Sequence, residues 1–96
     1  MKPEQTNLIS TYSKYDWFCT LVGTEISNAE IKFPLFPTDP VQAVAIMIEE
    51  AGESMQAAID LAYEHEGGSV ENVQRELIQT AAMCFRAWLS AKLSAR

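Results

Sequence analysis

Three prolines fall within the seven residues Pro34-Leu35-Phe36-Pro37-Thr38-Asp39-Pro40. No helix or strand runs through such a stretch, because each proline lacks an N–H and fixes its own φ. The chain is therefore read as separate elements on either side. Downstream, Asp39-Pro40 is a helix start: the Asp side chain accepts free first-turn amides, and Pro is tolerated at the first helical position. A long helix is predicted from there to about Glu66, where Gly67-Gly68 ends it. Val44, Ile48, Met55, Ile59 and Ala62 form its apolar stripe. Ser69 caps a third helix, with Glu71 favourably placed in the first turn. Val73, Leu77, Ala81, Cys84, Trp88 and Ala91 make its main stripe, and Ile78, Ala82, Phe85 and Leu89 a second beside it. So wide an apolar surface exceeds what one neighbour covers, and part of it is expected to meet another subunit. The tail from Lys92 to Arg96 places positive charge at the helix end and then frays.

Upstream, residues 4–22 carry Leu8, Tyr12, Tyr15, Cys19 and Val22 at alternating spacings of four and three, an amphipathic helix with Gly23 as its stop. From Thr24 to Pro40 the pattern breaks down. The expected fold is all-α and a single domain over residues 1–96. An N-terminal helix and Pro-rich loop (1–39) precede a helical hairpin (40–92), and copies assemble as a dimeric four-helix-type bundle. Phe33, Leu35 and Phe36 have two readings. They plug the open end of the core, or they wall a ligand pocket with an aromatic ring for base stacking.

A net charge of -6 with seven scattered Lys and Arg leaves no basic stripe for a phosphate backbone, so a nucleic acid polymer is not an expected partner. A small phosphorylated ligand remains compatible, because a metal can bridge acidic protein to anionic substrate. Cys19 and Cys84 sit at apolar positions and read as a reduced, buried pair, which suits a cytoplasmic setting. The N-terminus is polar and no apolar run approaches spanning length, so neither signal peptide nor membrane helix is expected.

Glu49-Glu50-Ala51-Gly52-Glu53 crowds three carboxylates into the second helix. Glu49 meets Glu53 at i, i+4 and Glu50 meets Glu53 at i, i+3, each like-charge pair costing roughly 0.2–0.5 kcal/mol. The plain reading is an exposed polar face. Against it, Ile46 and Ala57 interrupt the face, Gly52 sits mid-helix as if close approach were needed, and Glu76-Leu77-Ile78-Gln79 opens a second polar patch in the partner helix. Together these point to a carboxylate-lined divalent-metal site between helices, suited to Mg²⁺, with Mn²⁺ as an alternative. A di-iron bundle needs Glu-x-x-His pairs. The single histidine, His65, follows Ala62 at that spacing and reads as a helix-end residue. No phosphate-binding Gly loop, zinc spacing or Ser/His/Asp set is present.

Glu49-Glu50-Ala51-Gly52-Glu53 followed by Glu76-Leu77-Ile78-Gln79 resembles the EExxE plus ExxD signature of the MazG-like, all-α nucleoside triphosphate pyrophosphohydrolases. The likeness spans about residues 40 to 91 and is nearest to short, stand-alone, phage-like relatives. It implies Glu50, Glu53, Glu76 and Gln79 as metal ligands and Glu49 as a further ligand or the group that orients the attacking water. Gln79 occupies the family's aspartate position, where an amide oxygen supplies less charge. Asp60, near the same face, is a candidate compensating carboxylate. Trp17, Phe33, Phe36, Asp60 and Lys14 or Lys32 are the candidate substrate contacts. The implied activity is Mg²⁺-dependent hydrolysis of nucleoside triphosphate to monophosphate and pyrophosphate by a homo-oligomer, a dimer or a dimer of dimers. The alternative is a catalytically silent dimerisation or nucleotide-sensing module of the same fold.

Overall fold

A computed structural model describes the backbone of residues 3–94 and the side chains of residues 13–92. It contains three helices and, among the described residues, no strand: α1 (Pro3–Lys32), α2 (Pro40–Ala62) and α3 (Val70–Ser94). Helices α2 and α3 form the expected hairpin, and α1 packs against α3. No helix is long and apolar enough to cross a membrane among the described residues.

The N-terminal ends of α2 and α3 form as their sequences dictate. Asp39 accepts from the Gln42 amide at 2.9 Å with Pro40 behind it, and Ser69 Oγ accepts from the Asn72 amide at 3.0 Å. Helix α1, by contrast, does not stop at Gly23 but runs on to Lys32. A mid-helix glycine costs only about 1 kcal/mol, and the continuation carries a usable stripe: among the described side chains of α1, Leu21, Val22, Glu25, Ile26 and Ala29 are the ones that lose exposure. Residues 13–20 are exposed. Leu8 and Tyr12, the first members of the expected stripe, have side chains outside the described residues, as do residues 95 and 96 of the expected frayed tail.

Helix α2 ends four residues earlier than expected, in a Schellman closure. The His65 amide donates to Asp60 O at 2.8 Å and the Glu64 amide to Leu61 O at 3.3 Å, with Glu64 in the left-handed region at φ 56°. A side-chain contact from His65 Nδ1 to Asp60 Oδ1 at 3.1 Å clasps the turn. The glycine pair then serves the loop: a Cβ on Gly68 would lie 2.4 Å from Asp60 O, so only glycine fits there. Glu64→Gly is accordingly expected to raise stability by about 1 kcal/mol by relieving a non-glycine left-handed residue. Gly68→Ala is expected to lower it, and thermal melts of the two variants check both signs.

Apart from Arg86, the interior of the chain is built from small side chains. Ala43, Ser54 and Ala57 of α2 and Ala82, Ala87 and Ser90 of α3 are buried, together with Ala29 of α1, and among the described residues no bulky apolar side chain is buried. Ser54 and Thr80 share a hydrogen bond of 2.8 Å across the hairpin. This inverts the expected roles of the faces of α2. At about 100° per residue the buried face is centred on Ala43 and Ser54, with Glu50 on it, and the expected apolar stripe lies about 120° away. Val44, Ile48 (57%) and Met55 (63%) are exposed, as are Leu77, Cys84 and Trp88 (59%) of the main stripe of α3. Cys84 is therefore not buried, and neither is Cys19, which belongs to the exposed part of α1; both thiols are free.

The shape agrees. The accessible surface is 7352 Å² for a chain of 10.7 kDa, where a compact monomer of that mass presents about 5500 Å². The radius of gyration is 16.2 Å, against about 12.5 Å for a compact domain of this length.

Candidate functional site

Glu50, Glu53 and Glu76 each place a carboxylate oxygen within 4.8 Å of the others. The hairpin produces this: Glu50 and Glu53 are one turn apart on α2, and Glu76 reaches them from the facing turn of α3. Glu50 and Glu76 are half-buried and Glu53 is exposed. Glu50 Oε2 and Glu76 Oε2 are buried without a hydrogen-bond partner. Leaving such oxygens unpaired is costly. Burial, followed by the charges of Glu53, Glu76 and Glu49, pushes the Glu50 carboxyl above its ordinary range.

That direction has a consequence for stability. A carboxyl raised on folding binds its proton more tightly in the native state, so its contribution is fully present below the unfolded value and is lost as pH rises through the folded one. The metal-free protein is expected to melt higher at about pH 5 than at about pH 7.5 through this group, and Glu50→Gln to remove that difference. Asp60 has the opposite sense, its carboxyl lowered by hydrogen bonds from Gln56 and then His65. Its contribution is lost only as pH falls through the lowered value, below the window compared.

The other expected residues fall as follows. Glu49 is exposed on the solvent flank of α2, outside the close trio. Gln79 and Glu50 both line a cavity of about 720 Å³. Phe33, Leu35 and Phe36 line the same cavity, with Phe33 and Leu35 exposed and Phe36 half-buried. They form a wall and do not plug a core. Asp60 lies in a smaller hollow of about 220 Å³ with Glu53 and Glu76. Its Oδ1 is already engaged by Gln56 Nε2 at 2.9 Å and by His65. Trp17 is exposed and lines neither hollow. Gly52 has nothing within 4 Å of where a Cβ would stand, so the close approach expected there is absent among the described residues.

Two features were not drawn from the sequence. Arg86, 6% exposed, donates from Nη2 to Phe33 O at 2.6 Å and lies over the Phe36 ring at 4.8 Å, while Ser90 Oγ donates to Pro37 O. Helix α3 thus pins the Pro-rich loop. The second feature is the α1 wall of the cavity, where Glu25, Asn28 and Ala29 join the expected Lys32. These are spaced i, i+3, i+4 and i+7, a helical pattern that a stop at Gly23 conceals.

Comparison with protein-family models, curated proteins and solved structures finds no match. The likeness to the MazG-like hydrolases rests on the two acidic motifs and their placement.

Proposed function

We propose that this chain is a Mg²⁺-dependent nucleoside triphosphate pyrophosphohydrolase acting as a homodimer. The observation that carries it is the trio Glu50, Glu53 and Glu76 with two buried, unpartnered oxygens, one member of which, Glu50, also lines a cavity large enough for a nucleoside. Three carboxylates and the Gln79 amide are a hard, all-oxygen donor set, which fits Mg²⁺ or Mn²⁺. A bound Mg²⁺ would offset the repulsion of the trio and supply positive charge toward the triphosphate. The remaining work belongs to the chain. Phe33 offers an exposed ring for a base, the pinned loop shields one side of the cavity, and Glu49 orients the attacking water and accepts its proton. Water adds across the α–β anhydride, the α-phosphorus gains the new oxygen, and pyrophosphate leaves.

The dimer reading is supported by the excess surface. Roughly 1800 Å² beyond a compact monomer is of the order each partner contributes to an obligate interface. The apolar residues of α2 and α3 that one copy leaves open would form the core of a four-helix bundle across a two-fold axis. The free thiols suit a cytoplasmic setting.

Incubation with ribo- and deoxynucleoside triphosphates and Mg²⁺, with products resolved, tests the activity. Monophosphate and pyrophosphate are expected. Diphosphate and phosphate would mean attack at the γ-phosphorus and would overturn the pyrophosphohydrolase reading, and no turnover would leave a nucleotide-sensing module as the better account, with Gln79 as the reason.

A further inference from the structure

Different helices bring different chemistry to the cavity wall. Helices α2 and α3 contribute Glu50, Gln79 and Arg86, the last already bonded to the Phe33 carbonyl, and α1 contributes Glu25, Asn28 and Lys32 among apolar neighbours. Glu25 is half-buried, and among the described residues no ion pair joins it to Lys32 or to any other cation. A carboxylate in an apolar wall favours a ligand that brings hydrogen-bond donors to it. Asn28, three residues on and on the same helical face, adds one amide that can donate or accept.

We infer that Glu25 and Asn28 read the base of the substrate and select guanine. Among the common bases only guanine offers two adjacent donors, N1–H and the N2 amine, to the two oxygens of a carboxylate. Its O6 accepts from the Asn28 amide beside them. Adenine and cytosine turn a ring-nitrogen lone pair toward the carboxylate, and uracil flanks its single N–H with carbonyl oxygens. Mismatched edges leave Glu25 unpaired or repelled, which is how a polar site rejects a wrong ligand. The neighbouring Phe33 ring is free to stack on the base, whereas one face of Phe36 is taken by Arg86.

This selectivity rests on the hydrolase reading above, so the experiment has two arms. In the first, kcat/KM for GTP, ITP and ATP is measured with Mg²⁺ for wild type and Glu25→Gln. In the second, GMP and AMP binding is measured by calorimetry in EDTA for the same two proteins. Wild type is expected to favour GTP over ATP by about tenfold or more, chiefly in KM, with ITP, which lacks the N2 amine, in between. Glu25→Gln is expected to level GTP and ATP, and because the ratio is internal to each variant, a general loss of activity cancels. Equal use of GTP and ATP by wild type, or a ratio unchanged in Glu25→Gln, overturns the assignment and leaves the hydrolase standing. If no triphosphate is hydrolysed, the hydrolase reading fails, and the binding arm decides. GMP favoured over AMP in wild type but not in Glu25→Gln supports the base site, and equal binding overturns it.

Discussion

Replacing Ile48 with Glu is expected to abolish the proposed dimer and with it most of the folded population. Ile48 is bulky and exposed in one copy, and its neighbours on the stripe, Val44 and Met55, are exposed with it. Across a two-fold axis it would be buried, so the variant would carry an unpaired carboxylate from each copy into an apolar interface. A buried charge without a partner costs about 3–5 kcal/mol, and the symmetry doubles it. The stability of a domain this size is only about 5–15 kcal/mol, and the alanine interior of a single copy offers little to fall back on. Ser27→Glu, on an exposed face of α1, is the control and is expected to be within about 0.5 kcal/mol of wild type. Light scattering and circular dichroism read the outcome. An Ile48→Glu protein with the same mass and melting temperature as wild type would mean that the stripe is ordinary solvent-facing surface.

That prediction also marks where the sequence was legible. The helix starts at Asp39-Pro40 and Ser69 were readable because capping is local chemistry: a side-chain oxygen meets an amide three residues on. The juxtaposition of Glu50, Glu53 and Glu76 was readable because an antiparallel hairpin with a short loop leaves little freedom in register. Gly23 misled, since an isolated glycine in a helix whose later stripe packs on α3 is a modest cost and not a stop. The end of α2 was hidden for a different reason. Its closure uses Glu64 in a conformation normally taken by glycine, stabilised by His65 reaching back to Asp60, and no propensity rule anticipates that. The apolar stripe of α2 was recognised, but most of it does not face α3. Periodicity identifies which residues share a face, while the choice of face for the hairpin followed side-chain size, because Ala43, Ser54 and Ala57 permit the closer approach of α3.

Glu53→Gln and Glu50→Gln are expected to lower hydrolysis by at least about 100-fold, while leaving the metal-free protein as stable as wild type or slightly more so. The two expectations come from the same crowding. Without a cation, Glu53 repels Glu49 and Glu50 along α2, and Glu50 bears a desolvation cost that raises its pKa, so neutralising either carboxylate removes an unfavourable term. With a cation the sign reverses, because each substitution deletes a charged oxygen from a trio whose members lie within 4.8 Å of one another. Millimolar Mg²⁺ should therefore raise the melting temperature of wild type by mass action on the folded state, and do so less for either variant. Potassium chloride at matched ionic strength separates specific binding from screening. Gln79→Asp is expected to move both quantities the other way, since a further carboxylate on the cavity wall that Glu50 shares adds negative charge without metal and a charged ligand with it. If wild type, Glu53→Gln and Gln79→Asp all give the same Mg²⁺ shift, the trio is a solvated acidic edge and the metal-dependent reading fails.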